Sequence, residues 1–143
     1  GGSGYVEESP MPLLYREAPL NSIWEGSGNV ICLDVLRTLA REPLAAEALR
    51  AELDGARGSD QNYDRALDAF WARWPKEPLE AEARWFVERL GILLQASVLL
   101  RNAPNAVADG FIQTRVLGER GMVSGSVGKI DVAGILQRLG ARS

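Results

Sequence analysis

The sequence predicts an all-α helical bundle. Apolar side chains recur at three- and four-residue spacing along most of the 143 residues, as they do on the buried faces of helices. No stretch of four to eight residues alternates cleanly between apolar and polar side chains in the way of a half-buried strand. The length and the 46% hydrophobic content suit a single core. We therefore expect one helical domain over residues 1–143.

Proline, glycine and capping residues set the boundaries of the predicted helices. The predicted segments are 13–18, 30–41, 44–56, a helix capped by Ser59 or Asp60 that ends before Pro75, 79–102, 105–117, and 132–139 with Asp131 as its cap. The glycine-rich stretch between the last two segments is predicted to be a loop. In the helix before Pro75, apolar residues follow the i, i+3, i+4, i+7 pattern. The second half of segment 79–102 is apolar nearly all round, which indicates burial among several neighbours.

The composition excludes several classes of site. The chain has no histidine, which removes His-based triads and the usual zinc sites, and no metal site is expected. Cys32 is the only cysteine, so a reducing, cytoplasmic setting is the simple inference, and its apolar neighbours favour a small buried residue over a nucleophile. The most apolar stretch, residues 91–100, is too short to span a bilayer.

The charge distribution is uneven. The net charge of −3 gives no global reason to expect nucleic acid as a partner. From Arg115 onward, however, there are five basic residues and only two acidic ones. This excess is compatible either with binding to a polyanion or with a solvated basic face.

One short stretch, Glu25-Gly26-Ser27-Gly28, differs from an ordinary bundle turn because a helix stop is followed at once by a helix start. Gly26 is predicted to end one element, and Ser27 or Asn29 to cap the next. Free N–H groups at a helix start beside glycines are a natural phosphate site. The alternative is that Glu25 is a surface carboxylate beside an ordinary helix–helix turn.

Three segments in order carry a family resemblance: GGSGYVEES at the start, LLYREA, and SIWEGSGNVICLDVLR. The opening glycines alone could be a cloning linker, but Tyr5, Glu7, Glu8 and Ser9 follow them in register and favour a native motif. Together the segments resemble the C-terminal domain of the acyl-CoA dehydrogenase family, and most closely its AidB-type branch, the alkylation-response flavoproteins. The strong match covers roughly the first 40 residues.

The resemblance implies FAD-dependent oxidation of an acyl-CoA thioester, with Glu25 as the base that removes the α-proton. It implies FAD contacts at Gly1, Gly2, Trp24, Ser27 and Asn29. Ser27 stands where Thr is commoner and keeps the hydroxyl. The family's C-terminal domain builds subunit interfaces, so a homo-oligomer is expected, a tetramer in the full-length protein.

The resemblance also divides the chain into a flavin and active-site motif region, 1–42, and a helical extension, 43–143. The family's N-terminal helical and middle β domains, and the Gln that begins its glycine motif, would lie upstream. The isolated chain is therefore expected neither to bind FAD tightly nor to be active. The alternative is a DNA-binding, DNA-protecting or assembly module of the AidB type. Arg37 is the candidate contact to duplex DNA, unless it pairs with Asp34 or Glu42.

Overall fold

The computed structural model describes residues 2–24, 26–123 and 125–140, the last two of these by their backbone only. In this part of the chain seven α-helices follow one another, and the single strand-type pairing is an isolated antiparallel bridge between Arg120 and Val127. The helices are α1 (Met11–Glu17), α2 (Gly28–Arg41), α3 (Pro43–Asp54), α4 (Gln61–Arg73), α5 (Ala83–Asn102), α6 (Asn105–Phe111) and α7 (Val132–Gly140). The predicted all-α fold is confirmed.

Most helix boundaries lie where the sequence places them. The Asp60 carboxylate accepts hydrogen bonds of 2.8 Å from the backbone N–H groups of Asn62 and Tyr63, so Asp60 rather than Ser59 caps α4. Asp131 accepts a 2.9 Å hydrogen bond from the backbone N–H of Gly134 and caps α7 as predicted.

Two segments differ from the predicted helices. The stretch predicted to open the long helix forms a 3-10 turn, Glu80–Glu82, and α5 begins only at Ala83. The helix predicted over 105–117 is α-helical to Phe111 and then widens into a π-helical turn, Ile112–Val116. In that turn the Thr114 hydroxyl donates to the Gly110 carbonyl oxygen at 2.7 Å, a bond that competes with the regular backbone pattern.

Helix α5 is the centre of the bundle and packs against α2, α3, α4 and α6. Its residues Phe86, Leu90, Leu93 and Ala96 join the core, which also takes Leu36 from α2. Apolar contact with α5 therefore supports the helix that follows the Glu25-Gly26 turn. Cys32 is half-buried against this core and unpaired, as its apolar setting predicts.

The tryptophans divide between the core and the surface. Trp74 is buried, Trp71 is half-buried, and Trp24 and Trp85 are exposed. Phe70, Trp74 and Phe86 form a cluster with ring centroids 5.1 to 5.4 Å apart, mostly in edge-on arrangements.

Candidate functional site

The turn before α2 is built around a glycine in the left-handed region. Gly26 has φ 102°, a conformation that an L side chain adopts only at a cost. A Cβ at this position would meet only the Ile31 side chain, at an ordinary 3.5 Å, so the backbone conformation and not the available space requires glycine. The predicted helix stop at Gly26 is thereby explained.

Ser27 occupies the N-cap position of α2 with an extended backbone. Its side chain makes no capping hydrogen bond, although sequence analysis predicted a cap by Ser27 or Asn29. The first N–H groups of α2 are thus left without a side-chain acceptor from Ser27, and its hydroxyl is exposed. As far as the described residues go, both kinds of donor are available to an anionic group.

Asn29 lies in the first turn of α2 and is used differently from a cap. Its side-chain oxygen accepts a 3.0 Å hydrogen bond from the guanidinium of Arg84, which stands at the start of α5. Arg84 also lies close to the backbone of Gly28, because a Cβ there would be 3.7 Å from its Nη2 atom. A cation therefore stands at the positive end of the α2 dipole, which strengthens the attraction for an anion.

Sequence reasoning did not find Arg84. It lies 55 residues from Asn29, among alternating charges that are typical of a solvated helix face. Only the packing of α5 against α2 brings the two side chains together.

Trp24 and Gly2 occupy separate parts of the N-terminal segment. The Trp24 indole is 56% exposed and donates a 3.2 Å hydrogen bond to the Asn21 side-chain oxygen. Gly2 begins a 3-10 turn that packs on α1, and no heavy atom lies within 4 Å of where its Cβ would be. The structure thus groups Trp24, Ser27 and Asn29 at one turn. Glu25 and Gly1 lie outside the described residues.

The residues around this turn fit the FAD that the resemblance implies. An exposed aromatic face, unused donors at a helix start and a nearby guanidinium are what the ring system and the pyrophosphate of a dinucleotide require. The open space around Gly2 agrees with a close approach by a bulky group.

The proposed DNA contact, Arg37, lies on α2 and forms an ion pair with Asp34, one of the two alternatives considered for it. Both side chains are more than half exposed, so the pair is only weakly stabilising. In the C-terminal part, Arg115 and Arg120 line a surface cavity of about 170 Å³ at the glycine-rich loop. Arg142 lies outside the described residues.

Two broader properties hold for the described part of the chain. No group of three or more His, Cys, Asp or Glu residues there is arranged to hold a metal ion. None of its helices is both long enough and apolar enough to cross a membrane.

Comparison with known proteins shows which family the chain resembles. The profile of the acyl-CoA dehydrogenase C-terminal domain matches residues 1–40, the stretch that carries the GGSGY, LLYRE and WEGSGN segments. The chain is also 40% identical over 123 residues to AidB of Escherichia coli, a candidate acyl-CoA dehydrogenase by name. It is 36% identical over 67 residues to acyl-CoA dehydrogenase family member 11 of Caenorhabditis elegans. The predicted resemblance to the C-terminal part of acyl-CoA dehydrogenase-like proteins of the AidB type is confirmed.

The matches differ in how much of each protein they cover. The AidB match covers 86% of this chain and 22% of AidB, and the second match covers 47% of this chain and 11% of the nematode protein. The likeness to AidB therefore extends well beyond the motif region into the helical extension, while the chain corresponds to about a fifth of AidB's length.

Proposed function

We propose that this chain is the C-terminal part of an FAD-dependent acyl-CoA-dehydrogenase-like oxidoreductase. Proteins of this family are in general oligomeric flavoproteins that act on acyl-CoA thioesters. The observation that carries the proposal is the turn at Gly26, where the chain brings the exposed Trp24, a Ser27 side chain that makes no capping hydrogen bond and the start of α2 into succession. The proposal includes the roles of the site residues, an acyl-CoA thioester as substrate and a tetrameric assembly.

In the proposed reaction the Glu25 carboxylate takes the α-proton of the bound thioester. FAD, when bound, supplies the acceptor for the β-hydride. A carboxylate is a weak base for a carbon acid, so Glu25 requires a site closed to water and a substrate carbonyl polarised by hydrogen bonds. Glu25 stands in the sequence directly before Gly26, at the break before α2, and this position supports its assignment as the base.

The remaining turn residues would hold the nucleotide. The Trp24 indole would pack beside the flavin, while the Ser27 hydroxyl, the side-chain amide of Asn29 and the first N–H groups of α2 would donate to the nucleotide part. Arg84 adds positive charge at the same helix start. Gly1 and Gly2 would approach FAD from the loop at the beginning of the chain.

The test is Glu25→Gln in the longer protein that contains this chain, with Glu17→Gln at the end of α1 as the matched control. We expect Glu25→Gln to lower the rate of thioester oxidation by a factor on the order of 100 to 10,000, because the amide cannot accept the proton. Flavin content and oligomer size should be unchanged. Oxidation within tenfold of the unmodified protein would show that Glu25 is not the base.

A second experiment concerns the chain alone. We expect purified residues 1–143 to elute from gel filtration without flavin, because a dinucleotide needs to be enclosed on more sides than one turn provides. Flavin absorbance that travels with the protein peak would contradict this expectation.

A second candidate function is DNA binding, which the pair Arg115 and Arg120 favours. Both line the cavity at the glycine-rich loop, and among the described residues neither has a carboxylate within ion-pair distance. Titration of duplex DNA at low and moderate salt tests this idea, since phosphate contacts give a steep loss of affinity with salt. Absence of binding at low salt would rule it out.

A further inference from the structure

A second cavity, of about 280 Å³, lies between α2, α3 and the end of α4. None of its lining residues belongs to the turn at Gly26. The apolar part of the lining includes Leu36, Leu39, Leu49, Trp71, Trp74 and Phe86. The volume lies just below the usual range for small-molecule sites, which begins at about 300 Å³, so only a small ligand fits.

The cavity has a structural cause. Helices α3 and α4 contact each other where the Tyr63 hydroxyl donates to the Leu53 carbonyl oxygen and where Arg50 covers the Trp71 ring. Beyond this point α3 presents the small side chain of Ala46, and the connector with Pro75 and Pro78 cannot continue α4. No large apolar side chain of the described residues fills the space between the two helices, so a cavity remains there.

Two cations stand on the rim of the cavity, Arg50 and Lys76. The Arg50 guanidinium carbon lies 4.0 Å from the centroid of the Trp71 ring, so its charge is fixed against the apolar wall. Within the described ranges, no carboxylate is within 4.0 Å of either cation, whereas Arg57, Arg73 and Arg101 each have at least one. Arg50 therefore retains hydrogen-bond donors for a ligand.

Two further features restrict the ligand. Glu47 and Glu77 also line the cavity, and their charges disfavour a phosphate or another multiply charged anion. The indole N–H of Trp71 is enclosed and has no acceptor among the described residues, which is unfavourable for a buried donor. An oxygen brought in beside Arg50 would also lie close to this ring.

We propose that this cavity binds a small monocarboxylate with an aromatic body. The ring would pack against Trp71 and Trp74, and the carboxylate would accept hydrogen bonds from Arg50 with support from Lys76. The proposal does not depend on the function of the turn at Gly26, because the two sites share no residue.

The test compares three ligands that share one body: 4-phenylbutyrate, 4-phenyl-1-butanol and 4-phenylbutylamine. Binding to the 143-residue chain is measured by titration calorimetry and by the fluorescence of the tryptophans. We expect the carboxylate to bind most tightly and the amine least. Equal binding of the three ligands, tighter binding of the amine, or no binding of the carboxylate would overturn the proposal.

Variants locate the site. Arg50→Gln should weaken 4-phenylbutyrate by about tenfold or more and leave the alcohol unchanged, because the lost interaction is with the carboxylate. Arg65→Gln, an exposed arginine of α4 outside the cavity, is the matched control and should have no effect. Ala46→Phe should fill the space and abolish binding of both ligands, with circular dichroism as the check on folding. If Arg50→Gln binds the carboxylate as well as the control does, the proposal is wrong.

Discussion

The Tyr63 hydroxyl donates a 2.7 Å hydrogen bond to the Leu53 carbonyl oxygen in the centre of the bundle. A second buried hydroxyl, that of Ser97 on α5, donates to the neighbouring Glu52 carbonyl oxygen at the same distance. The last carbonyls of a helix lack partners within that helix. Here α4 and α5 each supply one donor, so the end of α3 is held by hydrogen bonds as well as by apolar packing.

Stability should fall at alkaline pH because of Tyr63. Burial raises the pKa of Tyr63 in the folded chain above its ordinary value of about 10. A raised pKa means that this contribution to stability is complete below pH 10 and is lost as the pH rises through the folded-state pKa. The loss should be on the order of 1 kcal/mol per pH unit in that window.

Tyr63→Phe isolates this effect. The variant should be less stable at pH 8 by about 0.5–1.5 kcal/mol, since it removes the buried hydrogen bond from the Tyr63 hydroxyl and leaves the Leu53 carbonyl oxygen only the 3.4 Å bond from the Ala56 backbone N–H. Its deficit should shrink between pH 10 and 11, as measured by urea unfolding. Tyr15→Phe, at an exposed position on α1, is the control and should show the same alkaline loss as the unmodified chain. A deficit for Tyr63→Phe that does not change with pH would contradict the assignment.

Removal of the second hydroxyl is a separate test. Ser97→Ala should destabilise the chain by about 1–2 kcal/mol, because Ser97 is fully buried and its hydrogen bond to the Glu52 carbonyl oxygen is lost. Ser3→Ala in the exposed N-terminal segment should change the free energy of unfolding by less than about 0.5 kcal/mol. Equal effects of the two substitutions in urea unfolding would show that the Ser97 bond is not a special constraint.

Two glycines should respond to alanine in opposite directions. Gly26→Ala places a Cβ on a residue with φ 102° and should cost about 1–2 kcal/mol. Gly91→Ala lies inside α5, where no heavy atom is within 4 Å of the new Cβ, and should stabilise by about 0.5–1 kcal/mol. Thermal unfolding of the two variants measures the direction of each change in stability. A neutral Gly26→Ala would mean that the turn readily adopts another conformation.

Arg73 should stabilise the end of α4 through aromatic rings and a carboxylate. Its guanidinium carbon lies 3.8 Å from the Trp85 ring centroid, and it pairs with Glu82 at 2.7 Å. Arg73→Ala should cost about 1 kcal/mol, and only the ion-pair part should disappear in 0.5 M salt. Arg65→Ala on the same helix is the control. A cost that vanishes completely in salt would show that the stacking contributes nothing.

Sequence alone predicted the fold class and most helices because periodic apolar residues and terminal caps are local signals. It predicted the break at Gly26 for the same reason, since glycine is the residue that this φ requires. It placed the start of α5 too early, because nothing local distinguishes a 3-10 turn from the first turn of a helix.

Features that depend on distant residues were beyond local reasoning. The contact between Arg84 and Asn29 joins two helices that meet only after folding. The hydroxyls of Tyr63 and Ser97 bond to carbonyl groups of α3, and a carbonyl carries no side-chain signature in the sequence. The roles of all the site residues remain predictions from the resemblance: Glu25, Gly1, Gly2, Trp24, Ser27 and Asn29.

Helix α2 has one side in the core and one end at the turn. Leu36 is buried in the cluster that α4 and α5 complete, while Asn29, two turns earlier, holds the guanidinium of Arg84. A shortened chain that ended after residue 42 would keep all residues of the recognised motif. It would lose the packing surface that α5 provides for α2. A transplant of the motif into another scaffold would therefore have to include α5, or supply another apolar surface for α2 to pack against.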